Sequence, residues 1–237
     1  MIDDKTTRRT ILLQGVPLLA AATLSGSGPV PRSQPAQEKE EEEGEVTPAE
    51  DLMREHGALN RILLIYDEAI TRLDGKKDFP PEVLRGAAKI VRRFIEEYHE
   101  KLEEESLFPL FEKAGKLVDL VRVLKQQHTA GRTLTAVIER TGSLSGQSAA
   151  SDREKITRAL RLFVRMYRPH EAREDTVLFP ALHELISPPE YEELGEKFEA
   201  REHQLFGEEG FEKTVEEIAG LEKKVGLYEL SRFTPPI

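Results

Sequence analysis

The sequence predicts an all-α fold, an up-down-up-down four-helix bundle followed by extra C-terminal helices. Three observations carry that expectation. Charged residues make up 33% of the 237 positions and hydrophobic residues 38%, a mix that suits amphipathic helices. No stretch shows the sustained period-two alternation of a strand. Apolar positions fall into four long segments joined by short breaks, and such segments fold back on one another as antiparallel neighbours.

Taken in order, Thr47 is placed to cap and Pro48 to sit in the first turn of a helix reaching about Leu73, since Pro has no N–H to lose there. Asp74-Gly75-Lys76-Lys77-Asp78 breaks it. Pro80-Pro81 opens a second helix to about Ala114, with Gly115 as its stop. A third spans about Leu117 to Arg140, and a polar loop runs from Thr141 to Ser151. Ser151 or Asp152 caps a fourth that ends near Ile186. Ser187-Pro188-Pro189 starts a fifth, to about Phe206, and Phe211 to Lys224 forms a weaker sixth before an irregular tail. The first four make a bundle over residues 47–187, and 188–237 is a helical extension packed across one end or side of it.

Composition removes several function classes. The net charge of −10 gives no electrostatic attraction to nucleic acid or anionic membrane. There is no cysteine, so disulfides, thiolate catalysis and sulfur-ligated clusters are excluded, and any metal must be held by N and O donors. Near the start, Arg8-Arg9 precedes an apolar stretch from Ile11 to Leu24, and Ala20-Ala21-Ala22 offers a processing site. Residues 1–27 therefore look like a twin-arginine export signal, which implies a periplasmic destination and a cofactor loaded before transport. The apolar run is short and contains Pro17, against about 20 residues for a membrane span. Residues 28–46, rich in Pro, Gln and Glu, read as an acidic tether that cannot bury enough apolar surface to order itself.

The chemistry lies in a repeat. Five of the six histidines sit at telling places. His99-Glu100-Lys101-Leu102-Glu103-Glu104-Glu105-Ser106-Leu107-Phe108-Pro109 and His170-Glu171-Ala172-Arg173-Glu174-Asp175-Thr176-Val177-Leu178-Phe179-Pro180 share H-E-x-x-E-[ED]-x-x-L-F-P, 71 residues apart. The preceding histidines, His56 and His128, lie 72 apart. The chain thus contains tandem helical units, each with one lone His and one H-x-x-x-E. Positions four apart lie one turn apart on one helix face, so an imidazole and a carboxylate address the same ion. An antiparallel bundle would gather His56, His99, His128 and His170 around Glu103 and Glu174. Imidazole and carboxylate donors suit iron, manganese or zinc, and two carboxylates able to bridge suggest two ions. A lone H-x-x-x-E is commonly a surface pair, but the repetition in register and the apolar neighbours Phe163 and Val177 on the face of His170 argue for a buried site. Leu and Phe of the triplets belong to the core, and Pro109 and Pro180 are expected to kink each helix just past the site, as Pro169 does just before His170. His183 lies about 220° round the helix from His170 and is assigned to no site.

From about Ala49 to Ile186 the chain resembles the hemerythrin-like domain with the His-His-Glu cation-binding repeat. The resemblance covers both halves, both Glu-Glu/Asp pairs and both Leu-Phe-Pro triplets. It implies a non-haem di-iron site, with His56, His99, His128 and His170 as terminal ligands, Glu103 and Glu174 as bridges, and an oxygen between the ions. One departure matters: where oxygen carriers of that family have a fifth histidine, this chain has Arg132, beside Gly131. About two coordination positions are then left for water, substrate or another side chain, with Glu100, Glu171 and His203 as candidates. Arg201-Glu202-His203 echoes Arg54-Glu55-His56. A protein that handles dioxygen, peroxide or a related small oxidant is the leading expectation. A di-iron peroxidase or ferroxidase, and an iron or oxygen sensing or storage protein, are the alternatives.

Overall fold

The computed structural model describes residues 46–142 and 150–236. The export signal, most of the tether and much of the loop before the fourth helix lie outside the described residues. Residues 47–237 form one unit of their own, and no strand occurs among the described residues.

Helix α1 runs Pro48–Asp74 and opens on a reciprocal cap: Thr47 Oγ1 accepts from the Glu50 N–H, and Glu50 Oε2 accepts from the Thr47 N–H at 2.9 Å. Pro48 has no N–H, so three N-terminal donors need partners, and two are thereby satisfied. Leu52, Leu59, Ile62, Leu63, Tyr66 and Ala69 recur at helical spacing and are buried, giving α1 the apolar face that drives docking. Helix α2 spans residues 81–114 and stops at Gly115, whose φ of 64° is the left-handed conformation a C-terminal cap needs. Helix α3 runs Val118–Gly142, and α4 spans residues 150–182. Residues 183–186 turn out of the helix, so α4 ends one turn short of the expected Ile186.

Helix α1 packs on α2 and α4, and α3 packs on α2 and α4. His56 lies 18 residues before the end of α1, and His99 lies 18 residues after the start of α2. Equal distances from a shared turn put the two at one level only if the helices are antiparallel, and the same holds for Glu103 and His128 about the turn at Gly115. Helix α5, Pro188–Phe206, starts where Glu190 Oε2 accepts from the Ser187 N–H, at 2.7 Å. It packs on α1 and on α6, Gly210–Val225, which lies against α1 and α2. Gly86 of α2 lets Leu221 of α6 close in, because a Cβ there would stand 2.9 Å from the Leu221 side chain. Arg61 binds Glu222 with two guanidinium nitrogens. The tail, expected to be irregular, holds a short 3-10 turn over Leu230–Phe233.

Pro109 and Pro180, expected to kink the helices, sit where the helix widens. Each follows a wide π-turn, Glu103–Leu107 in α2 and Glu174–Leu178 in α4. The Phe108 N–H reaches back to the carbonyl of Glu103, and that of Phe179 to the carbonyl of Glu174. A proline in a regular helix clashes with the carbonyl four residues earlier, and widening the turn removes that clash. A longer π segment, Val91–His99, ends on His99. Pro169 lies inside α4 with helix on both sides. The π-turns therefore begin at the two carboxylates of the repeat and re-aim them.

Candidate metal centre

The bundle brings together all six residues of the repeated pattern. His56, His99, Glu103, His128, His170 and Glu174 are each at most 4% exposed. They form two sets whose donor atoms lie within 4.8 Å of one another, His56–His99–Glu103 and His128–His170–Glu174. Within each set the imidazoles meet through Nε2, at 3.0 Å for His56 and His99 and at 3.3 Å for His128 and His170. The carboxylates connect the sets. Glu103 Oε2 lies 3.7 Å from His99 Nε2 and 3.5 Å from His128 Nε2. Glu174 Oε2 lies 3.1 Å from His170 Nε2 and 3.4 Å from His56 Nε2.

The other ring nitrogen of every histidine is claimed from outside. His56 Nδ1 meets Asp175 Oδ1 at 2.7 Å, and His99 Nδ1 meets Glu55 Oε2 at 2.7 Å. His128 Nδ1 meets Glu104 Oε1 at 3.1 Å, and His170 Nδ1 meets Gln127 Oε1 at 2.9 Å. All four partners are acceptor oxygens, so each Nδ1 carries the proton and donates it. A neutral imidazole so held presents a bare Nε2 lone pair. Four such lone pairs, with both oxygens of Glu103 and both of Glu174 buried and without a hydrogen-bond partner, converge on one space. Each Nε2 lies 3.1 to 3.7 Å from a carboxylate oxygen, where a metal ion would take the place of any proton. A cation with nitrogen and oxygen ligands satisfies all of them at once, so the residues present fit a metal.

Aromatic rings fix the planes of the imidazoles. Phe179 stacks on His56 with centroids 5.5 Å apart, and Phe108 stacks on His128 at 5.6 Å. The Phe of each Leu-Phe-Pro triplet thus covers the lone histidine of the other half. Electrostatics show the strain of the donors by themselves. Burial lowers His99 below its ordinary value and lowers His128 to about 4. Burial acts the same way on His56, but Asp175 and Glu174 outweigh it and push it up to about 10. Burial and then the facing Glu174 carboxylate push Glu103 well above the carboxylate range. Burial opposes ionisation of Glu174 too, but His170 and His56 outweigh it and hold that group below the range.

Of the three further candidates, Glu100 borders the cluster, with a donor atom within 4.8 Å of Glu104 and His128. Glu100 Oε1 accepts from the Tyr167 hydroxyl at 2.7 Å, and its other oxygen lies 2.7 Å from Arg132. Glu171 Oε2 accepts from the Asn60 amide at 2.6 Å. Burial pushes both carboxyls up to about 8. Arg132 and Asn60 each stand four residues after a lone histidine, so they are equivalent positions in the two halves. Arg132 also contacts Glu104 at 2.6 Å. His203 is exposed on α5, and the structure does not bring it to the cluster. Its neighbour Glu202 turns inward instead, 2% exposed, with a donor atom within 4.8 Å of Asp51 and Glu55.

Sequence reasoning had not singled out Glu55, Gln127, Glu104 and Asp175. A signal was present: each directly flanks a repeated residue, and the pairs Glu55/Gln127 and Glu104/Asp175 keep the 72- and 71-residue offsets.

Comparison with known proteins agrees with this geometry. Uncharacterized proteins of Mycobacterium bovis and Mycobacterium tuberculosis are 46% identical over 221 residues, covering 92% of this chain and 86% of their own length. No solved structure matches. The hemerythrin HHE cation-binding domain matches residues 47–182 and again 119–222. The second match begins on α3 and runs through α5 into α6, and α6 has no histidine. With the family match spanning well over half of the sequence, this chain belongs to the hemerythrin HHE cation-binding domain family.

Proposed function

We propose that the chain binds two iron ions and reacts with dioxygen, peroxide or a related small oxidant in the periplasm. His56 and His99 would hold one ion and His128 and His170 the other, with Glu103 and Glu174 placed to serve both. The observation that carries this reading is the position of the two carboxylates, each between a histidine of one pair and a histidine of the other, with no hydrogen-bond donor to satisfy it. Iron in such a centre supplies electrons and Lewis acidity to a small oxidant. The protein's own residues fix the imidazole tautomers through Asp175, Glu55, Glu104 and Gln127, and exclude water with Phe108 and Phe179.

Arg132 favours reaction over reversible carriage. It occupies the position of a further histidine, yet its guanidinium is engaged by Glu100 and Glu104. About two coordination positions are left open in a six-coordinate pair, enough for an oxidant to address both ions. The resemblance of residues 1–27 to a twin-arginine signal supports a periplasmic setting and loading before transport.

Metal analysis of anaerobically purified protein, followed by optical spectra under oxygen and peroxide, tests the proposal. Two irons per chain and turnover of peroxide are the expected results. A stable oxygen adduct that reverses under vacuum would assign carriage instead. A spectrum indifferent to both would point to sensing or storage, and absence of bound iron would remove the reading.

A further inference from the structure

The two halves of the centre are built on one plan but carry different charge. Behind His56 and His99 stand two carboxylates, Asp175 and Glu55, each 2.7 Å from an Nδ1. Two more acidic groups back this side, since Asp51 and Glu202 have donor atoms within 4.8 Å of Glu55. Arg54, partly exposed, stands 3.7 Å from Asp51, and the Phe211 N–H donates to Glu202. On the Nδ1 atoms of His128 and His170 stand one carboxylate and one neutral amide, Glu104 and Gln127. Glu100 also backs this side, within 4.8 Å of Glu104 and His128, but Arg132 lies on both carboxyls, at 2.7 and 2.6 Å, and Lys101 on Glu104 at 2.5 Å. The substitution of Gln127 for the acid at Glu55 and of Arg132 for the neutral Asn60 both shift charge in one direction.

An anionic acceptor on Nδ1 makes Nε2 a stronger donor to a metal, and loss of such an outer partner costs roughly 10–100-fold in affinity. A cation beside the acceptor works against it. We infer that the two ions are held unequally: the His56–His99 pocket is the tight, first-filled position, and the His128–His170 pocket is the weaker, exchangeable one. This inference rests on the two-ion reading above.

The experiment is calorimetric and optical titration of the metal-free full-length protein with Co2+. Two steps are expected, separated by roughly 10–100-fold beyond the statistical ratio of identical sites. Glu55→Gln, close to isosteric, should weaken the first step and leave the second. Gln127→Glu should tighten the second and narrow the gap, and circular dichroism should show both variants folded. A gain of affinity in Gln127→Glu cannot arise from misfolding, so that variant keeps the test decisive should the other be unstable. Two steps of equal affinity, or Glu55→Gln acting on the second step, would overturn the inference while leaving the two-ion reading intact. Binding of fewer than two ions would instead remove that reading.

Discussion

Gly131 is the position where one methyl group should be most informative. It lies buried in α3 beside Arg132, and a Cβ added there would stand 2.0 Å from the Tyr167 hydroxyl oxygen and 2.8 Å from its ring Cζ. Tyr167 is 1% exposed, and its hydroxyl donates to the buried Glu100 carboxylate. Gly131→Ala must therefore push the phenol away from α3. An alanine in a helix interior gains roughly 0.5–1 kcal/mol over glycine from backbone entropy. Against it stand overpacking, about 1–3 kcal/mol, and the lost hydrogen bond to Glu100, about 0.5–1.5 kcal/mol, which overlap because one displacement causes both. The net expectation is destabilisation by about 2 kcal/mol, or roughly 4–8 °C in Tm for a chain of this size. Gly57→Ala in α1 is the control. It is exposed, a Cβ there meets nothing within 4 Å, and it should gain the helix term alone. Thermal and urea unfolding of both variants decides the matter. A Gly131→Ala protein as stable as Gly57→Ala would show that the α3–α4 approach at Tyr167 is looser than described and that Glu100 is not held by it.

Four further outcomes are expected. Glu103→Ala or Glu174→Ala should lose about half or more of the bound metal by elemental analysis, with a fall in Tm because binding energy at such a site is folding energy; retention of two ions by either variant refutes the bridging assignment. Phe179→Ala removes the ring over His56 and should destabilise by about 3–5 kcal/mol in denaturant titration, and a loss under 1 kcal/mol would mean that the ring is not packed as described. His203→Ala should leave the iron spectrum and azide binding unchanged, whereas Glu202→Gln should alter the spectrum through Glu55 and His99; the reverse pattern would return His203 to the site. Replacing Arg8-Arg9 with Lys-Lys should leave the precursor inside the cell, and mature protein in the periplasm regardless would remove the twin-arginine reading.

Helix starts and stops were legible because they depend on near neighbours. Thr47 with Glu50, Pro80-Pro81 and Gly115 each act within one turn, so the sequence places them to within a residue or two. The π-turns were not legible in the same way. Pro109 and Pro180 announce a broken hydrogen bond, but kinking or widening are both local answers to it, and the choice depends on what the turn must aim. Here Glu103 and Glu174 open those turns, and the carboxylates need to reach across the bundle. His203 shows a different limit. Successive helix positions point about 100° apart, so of Glu202 and His203 only one can face α1. The local echo of Arg54-Glu55-His56 suggested the histidine, but the docking angle of α5 selects the glutamate.

The six-residue donor set was legible because of its repetition, and the reason is geometric. One H-x-x-x-E on one helix supplies an imidazole and a carboxylate, too few groups to enclose an ion, and it serves equally well as a surface pair. A second copy in register forces the matter. In an antiparallel bundle the copies face each other at one level, and each carboxylate comes to lie beside a histidine of the other copy, as Glu103 does beside His128 and Glu174 beside His56. The outer acceptors follow two rules. Glu55 and Gln127 serve the histidine of their own half, while Glu104 and Asp175 serve the lone histidine of the other. Such exchange between halves is invisible in either segment alone and becomes necessary only once the helices are paired. It follows that a change on one side of the repeat, such as Gln127 in place of an acid, acts on the donors of its own half through His170, whereas a change at Glu104 or Asp175 crosses to the other. The two kinds of outer residue therefore tune the two halves of the centre by separate routes.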